Sequence, residues 1–249
     1  MLAALAVNYV TSDVGANLAG IEARAAEAAA QGARLVLFPE TAVTGLINND
    51  DPEHDLRLGQ PIPGRLTRRL GQLARHLGLY LGIGLFEREG RRLYDSAVLL
   101  GPNARLLLKH RRLHPGWTGR GADLRVYALG DDVAVACTEL GSFAFLICGD
   151  LWDEGSVSRL RERRPDYVLY PFARCFPDGQ WSQERWEREE RAEYTRRAAG
   201  TGATVLMVNY VAPAELEGGA FGGALVVSTS GQVVAELPLG RPGILLAEV

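Results

Sequence analysis

The run Phe143-Ala-Phe-Leu-Ile delivers Cys148, and Gly149 and Asp150 follow it directly. A buried strand ending in a glycine turn holds a thiol at its tip, and the glycine lets the chain bend sharply while its NH approaches a bound group. A cysteine so placed suits a nucleophile, although an arbitrary cysteine is more often a small core residue. Two other apolar runs also end in reactive side chains: Arg34-Leu-Val-Leu-Phe-Pro leads into Glu40, and Arg105-Leu-Leu-Leu leads into Lys109. Taken singly, a glutamate or lysine at a strand end is usually a surface charge. Taken together, the three residues define one chemistry. A carboxylate beside a thiol can take its proton as general base and return it to a leaving amine. A lysine ammonium can hold the oxyanion of a tetrahedral intermediate, helped by the Gly149 NH.

The elements that must bring these residues together follow from the hydrophobic pattern. Residues 2 to 10 read as a strand. A helix from about Val14 to Gln31 has Ser12 or Asp13 as its cap and Gly32 as its stop, and Arg34 to Glu40 is a near-continuous apolar strand. The stretch from Asn48 to Pro63 is polar, contains three prolines and reads as a surface loop. A second helix spans about Gly64 to His76, followed by a hairpin of strands Tyr80 to Glu87 and Leu93 to Leu100, and then by the strand ending at Lys109. Strands around Val133 to Thr138 and Ser142 to Ile147 come next. After them the pattern predicts a helix near Ser156 to Arg163, a strand Tyr167 to Tyr170, and a long charged helix from Trp181 to Ala199. Thr204 to Val211 is another strand, and a glycine-rich loop from Glu217 to Gly223 precedes the last three strands. This order predicts an α/β chain of the α+β type: a four-layer αββα sandwich with two similar halves of mixed sheet, forming a single domain over residues 1–249. Ligands gather at strand ends in such sheets, so Glu40, Lys109 and Cys148 are expected to converge on one pocket.

Composition narrows the class. With 249 residues, 47% of them hydrophobic, the chain can bury a sizeable core, and a net charge of −3 argues against nucleic acid or an acidic membrane surface as a partner. The arginine clusters Arg111-Arg112 and Arg159 to Arg164 read as solvated faces. No apolar run approaches a membrane span and the first residues do not resemble a signal peptide, so a cytoplasmic location is expected. Three cysteines without a CxxC spacing and four dispersed histidines give no metal site, and no cofactor is expected.

The sequence resembles the nitrilase, or carbon-nitrogen hydrolase, superfamily. The segments that carry the resemblance are Leu37-Phe-Pro-Glu40-Thr, Leu108-Lys109-His-Arg-Arg-Leu-His114 and Ile147-Cys148-Gly-Asp150, with Tyr94-Asp95-Ser96-Ala97 standing where the family has Tyr-Asn-Ser. The resemblance implies an αββα sandwich whose cysteine attacks an amide or nitrile carbon, giving a thioester that water hydrolyses. Glu40 would be the base, Lys109 the oxyanion stabiliser and Cys148 the nucleophile. It further implies a homodimer or larger assembly. Departures from the family pattern are the shorter Asp123 where many relatives have a second active-site glutamate, Asp95 for asparagine, Gly149 for the usual tyrosine or similar residue, and Leu151-Trp152-Asp153-Glu154 after the cysteine turn.

Among the remaining candidates, Arg174 follows a strand and can clamp a substrate carboxylate in bidentate fashion, while Trp117 and Trp152 are of a type that can wall a pocket. Cys137 and Cys175 read as core thiols. The expected activity is hydrolysis of a small linear amide, with ω-amido acids and carbamoyl amines within its scope and ammonia or an amine released. The alternatives are acyl transfer from the same thioester and a non-catalytic binding role on the same scaffold.

Overall fold

The computed structural model describes residues 1–216 and 219–249. Its fourteen strands and six helices run in the order β1 (Leu2–Val7), α1 (Val14–Ala30), β2 (Leu35–Leu37), α2 (Pro52–Leu58), α3 (Arg65–Leu77), β3 (Tyr80–Glu89), β4 (Arg92–Leu100), β5 (Leu106–Arg111), β6 (Val135–Thr138), β7 (Gly141–Phe145), α4 (Glu154–Arg163), β8 (Tyr167–Pro171), α5 (Gln183–Glu189), α6 (Arg191–Ala199), β9 (Thr204–Val208), β10 (Val211–Ala212), β11 (Ala220–Phe221), β12 (Ala224–Val227), β13 (Val233–Leu237) and β14 (Gly243–Glu248). Two six-stranded mixed sheets form, ordered β14-β1-β2-β3-β4-β5 and β13-β12-β9-β8-β7-β6. In each, three consecutive strands pair in parallel, β1-β2-β3 in the first and β7-β8-β9 in the second, and antiparallel strands flank them. The two halves therefore share one plan, and the expected αββα sandwich is the observed one.

Hydrophobic patterning explains the layers. Strand residues alternate between faces, so one set meets the opposite sheet and the other meets helices. Leu5, Leu35 and Leu37 of the first sheet pack with Phe143, Phe145, Leu169 and Leu206 of the second. On the outer face of the first sheet, Ile21 and Ala25 of α1 and Leu70 and Ala74 of α3 cover Val36, Leu81 and Val98. Trp186, Tyr194 and Ala198 cover the second. Asp13 starts α1 by accepting hydrogen bonds from Gly15 N at 2.7 Å and Ala16 N at 3.1 Å, the role expected of a short acidic cap. Gly78, with φ of 68°, ends α3 in a left-handed turn.

Four expectations need correction. The stretch from Asn48 to Pro63 is not all loop, because Asp51 caps Glu53 N at 2.9 Å and Pro52 occupies the first helical position, where its missing NH costs nothing, so α2 forms. The helix read from Trp181 to Ala199 is two, α5 and α6, separated at Glu190, whose carboxylate turns to Arg174. Cys137 is exposed, because β6 is an edge strand that points Ala136 inward and Cys137 outward. Arg112, read as part of a solvated cluster, is 3% exposed. Of the glycine-rich loop from Glu217 to Gly223, Glu217 and Gly218 lie outside the described residues, and Ala220 and Phe221 form β11.

Candidate active site

Cys148 sits where β7 gives way to a 3₁₀ turn over Cys148–Trp152. Its φ is 42°, a left-handed conformation that a residue with a Cβ adopts at a cost, and such strain collects where a side chain must be presented at one angle. Asp150 holds the turn in place. Its buried carboxylate accepts from Ile147 N at 3.0 Å, Leu113 N at 2.9 Å and His114 N at 2.8 Å, and it pairs with His110 Nε2 at 2.9 Å. Burial would raise the Asp150 pKa, but the His110 bond and the backbone donors outweigh it and hold the carboxyl below the usual range. Tyr170 fixes the other side by donating its hydroxyl to Cys148 O at 2.7 Å. The thiol itself lies 3.8 Å from Ala173 O.

Glu40 reaches the same place from the end of β2. Its backbone passes so close to β3 that a Cβ on Gly84 would lie 2.5 Å from Glu40 Cα, so only glycine fits there. The Glu40 side chain is fully buried. Burial first, and the Cys148 thiol second, push its pKa up to about 8, against the opposing pull of Arg112. A carboxyl poised near neutrality beside a thiol is suited to taking and returning a proton.

Lys109 does not join them. Along β5 the pairs Ala97 with His110 and Val98 with Lys109 show alternate faces: Ala97 lies in the core between the sheets, Val98 under the helices. Lys109 shares the Val98 face, and its ammonium pairs with Glu87 at 2.7 Å, where Arg111 and Ser96 also donate. The cation beside Glu40 is Arg112. Its Nη1 lies 2.8 Å from Glu40 Oε1 and 3.3 Å from Asp95 Oδ2. Its Nη2 points at the cysteine turn, where a Cβ on residue 149 would meet it at 2.6 Å and His114 Nδ1 at 2.5 Å. Gly149 is thus the residue that leaves room for the guanidinium. Despite its burial, the neighbouring Cys148, Glu40 and Asp95 keep Arg112 firmly charged.

An open cavity of about 430 Å³ lies over the cysteine, lined by His114, Cys148, Gly149, Trp152, Arg174, Tyr194 and three glutamates of α5 and α6. Trp152 stands edge-on to Tyr194, with ring centroids 4.5 Å apart, and the two give the cavity an aromatic wall. Arg174 lines it too, but its guanidinium is held in bidentate fashion by Glu190 and by the carbonyl of Cys175. Asp123 lies away from this cavity, in a turn where Arg125 engages its carboxylate at 2.8 and 2.9 Å and lowers its pKa. Trp117 packs in a separate buried cluster with Phe86 and Tyr127. Arg112, His114, Tyr194 and the interplay of Asp95 with Glu40 were missed in the sequence. The signal for Arg112 was there: counting in twos from the core residue Leu108 gives His110 and Arg112, not Lys109. Among the described residues, no group of three or more His, Cys, Asp or Glu side chains is placed to hold a metal ion.

Known proteins share this architecture. The carbon-nitrogen hydrolase family model matches residues 1–249. An omega-amidase of Xenopus tropicalis is 28% identical over 217 residues, covering 84% of this chain and 74% of that protein. An aliphatic nitrilase of Sinorhizobium fredii is 36% identical over 139 residues, covering 49% of this chain and 44% of that protein. A solved amidase from Nesterenkonia sp. superposes with a TM-score of 0.82 at 24% identity, covering 100% of this chain and 90% of that one. A mutant of that amidase has been solved in complex with butyramide.

Proposed function

This chain belongs to the carbon-nitrogen hydrolase family, and from that premise we propose that it hydrolyses short amides through a cysteine thioester, with Cys148 as nucleophile, Glu40 as base and Arg112 in the place expected of lysine. The observation that carries the reading is the convergence of these three side chains, from the ends of β2, β5 and β7, with Cys148 opening on the cavity and the buried Glu40 and Arg112 behind it. Cys148 Sγ attacks the amide carbon and its proton passes to Glu40. The carbon–nitrogen bond then breaks, with Glu40 returning that proton to the leaving nitrogen. Water attacks the resulting thioester, the carbon–sulfur bond breaks, and the water's proton reaches the cysteine sulfur by way of Glu40. In both halves the carbonyl oxygen gathers negative charge, which the guanidinium Nη2 of Arg112 and the NH of Gly149 are suited to hold.

Arginine serves this role differently from lysine. It stays charged at any working pH, and its planar fork donates in fixed directions, so one nitrogen can engage Glu40 while another faces the oxyanion. The cavity supports a substrate whose remote end is uncharged. Arg174, the candidate carboxylate clamp, is already occupied by Glu190, and a carboxylate-bearing amide would have to displace that partner. The aromatic wall of Trp152 and Tyr194 suits an aliphatic chain. The butyramide held by the Nesterenkonia amidase is a compound of that class.

The test is ammonia release from a panel of short aliphatic amides, ω-amido acids, carbamoyl amines and nitriles, comparing native protein with Cys148→Ala. Release from the short amides that vanishes in the variant is expected. A folded native protein that releases ammonia from no member of the panel would overturn the reading.

A further inference from the structure

Beside Glu40 lies a second buried carboxyl, that of Asp95 on β4, and both are wholly inaccessible to solvent. One guanidinium serves the two of them, with Arg112 Nη1 at 2.8 Å from Glu40 Oε1 and 3.3 Å from Asp95 Oδ2. The other oxygens, Glu40 Oε2 and Asp95 Oδ1, meet no donor at all. A buried carboxylate oxygen without a donor is costly, and two carboxylates against one cation leave an uncompensated negative charge away from water. A single proton held between the carboxyls removes both penalties: it supplies the missing donor and makes the cluster neutral.

We propose that Glu40 and Asp95 share one proton against Arg112, and that Asp95 is the positioning residue that holds it, donating to the Glu40 carboxylate. The assignment rests on the hydrolase reading above for its consequence, though not for its geometry. In the resting site Asp95 is neutral, Glu40 carries the negative charge, Arg112 the positive charge, and Cys148 is a thiol. When the thiol proton moves to Glu40, both carboxyls become neutral and the new thiolate faces Arg112. The buried cluster keeps the same net charge throughout, so no step requires a bare charge in the interior.

The surroundings agree with this assignment. Burial, followed by the nearness of Glu40, pushes Asp95 well above the ordinary carboxyl range, and burial raises Glu40 as well. Of the other groups facing the cluster, Asp150 is paired with His110, and His114 lies beside the Arg112 guanidinium at the Gly149 turn. Tyr170, Tyr194 and Tyr210 also feel the charge on Glu40, and burial holds all three hydroxyls protonated. The wider cation Arg112 requires the small Gly149, and its two-pronged reach is met by a second acid, Asp95, where the family has an amide.

The decisive measurement is the infrared spectrum of the full chain at pH 7 without substrate, so it stands whether or not the hydrolase reading does. A protonated-carboxyl band is expected in the native-minus-Asp95→Asn difference and in the native-minus-Glu40→Gln difference, because either change leaves the surviving acid ionised against Arg112. The band should also shift in native protein carrying carboxyl-labelled aspartate, a version that needs no substitution and covers the case of a variant that fails to fold. No protonated-carboxyl band, or one that follows labelled glutamate instead, would overturn the proposal. A second readout is the pH profile of kcat/KM on the preferred amide. The native alkaline limb, where the pair gives up its last proton, should disappear in Asp95→Asn while the acid limb stays within about half a pH unit. An unchanged alkaline limb would count against Asp95 as the holder.

Discussion

On the helix-facing side of β5, one carboxylate, Glu87, receives donors from Lys109, Arg111 and Ser96, while at the strand's end two carboxyls, Glu40 and Asp95, share the guanidinium of Arg112. The first cluster is fully satisfied, with two hydrogen bonds on each Glu87 oxygen. Burial would raise Glu87, but the bonds from Arg111, Lys109 and Ser96 outweigh it and hold the carboxyl below its usual range. Its cations are partly exposed, and Arg111 also lies over the Tyr94 ring at 3.7 Å. The second cluster leaves one oxygen of each carboxyl and the Nε of Arg112 without a partner, it is sealed from water, and its carboxyls are displaced upward. The two regions use the same residue types only a few residues apart. They differ in satisfaction: one network is at rest, and the other holds groups whose protonation is poised to change, which is the condition for acid–base work.

Exchanging the cation in each cluster tests that contrast most sharply. Arg112→Met should lower kcat on the preferred amide by about 10²- to 10³-fold, the usual loss when an oxyanion donor is removed, and Glu40→Gln by roughly 10²- to 10⁴-fold through loss of the base. Steady-state kinetics with circular dichroism as the folding control measures both. Full activity in Arg112→Met would remove the distinction between the clusters. A smaller loss is expected from Gly149→Ala. The new methyl would stand 2.6 Å from Arg112 Nη2 and 2.5 Å from His114 Nδ1, and Arg112 is pinned by two acids and cannot simply swing aside. Displacing the guanidinium by a fraction of an ångström should cost roughly 10- to 100-fold in kcat with the melting temperature little changed.

This contrast also marks how far the sequence could be read. The layers were legible because they follow from periodicity: Leu66 and Leu70 at helical spacing, and the continuous apolar runs before Glu40 and Cys148, allow few other arrangements. Cys148 and Glu40 were legible because each ends such a run. The cation is misread from the sequence because Lys109 on β5 and Arg112 just past it lie three residues apart, and a one-residue error in facing carries a side chain to the other side of the sheet. Lys109 follows the apolar run most directly, whereas Arg112 lies just past the end of β5, beyond the segment whose hydrophobicity betrays its face. The break at Glu190 was hidden for a different reason. Its charged neighbours favour one continuous helix, and the partner its side chain takes, Arg174, is distant in sequence.

Stability against pH separates the clusters in opposite directions. Burial raises both carboxyls of the Glu40–Asp95 pair above their unfolded values, so the native state keeps a proton that the unfolded chain has already lost, and stability falls as pH rises toward the pair's folded titration. Denaturant midpoints should therefore decline between about pH 5 and pH 8 in native protein. In Glu40→Gln the decline should be much flatter, since the surviving Asp95 is then ionised against Arg112 and no shared proton remains to be lost. An equal slope in both proteins would mean that the Glu40–Asp95 pair is not what titrates there.

The smallest effect is expected at Lys109. Its side chain is 29% exposed and Glu87 keeps Arg111 and Ser96 as donors without it, so Lys109→Met should cost about 1 kcal/mol of stability at pH 7 after allowance for solvent screening. The Glu87 carboxyl is held below its ordinary pKa, so the stabilisation it draws from Lys109 is present above that value and is lost as pH falls through the folded one. The gap between native and Lys109→Met midpoints should accordingly close in acid, the reverse of the Glu40 trend, and should narrow at high salt. Activity should stay within about two-fold of native, because Lys109 shares the face of Val98, under the helices, and meets neither Glu40 nor Cys148. A loss at Lys109 as large as that at Arg112 would show that the cation nearer the apolar run, not the one beyond it, serves the reaction.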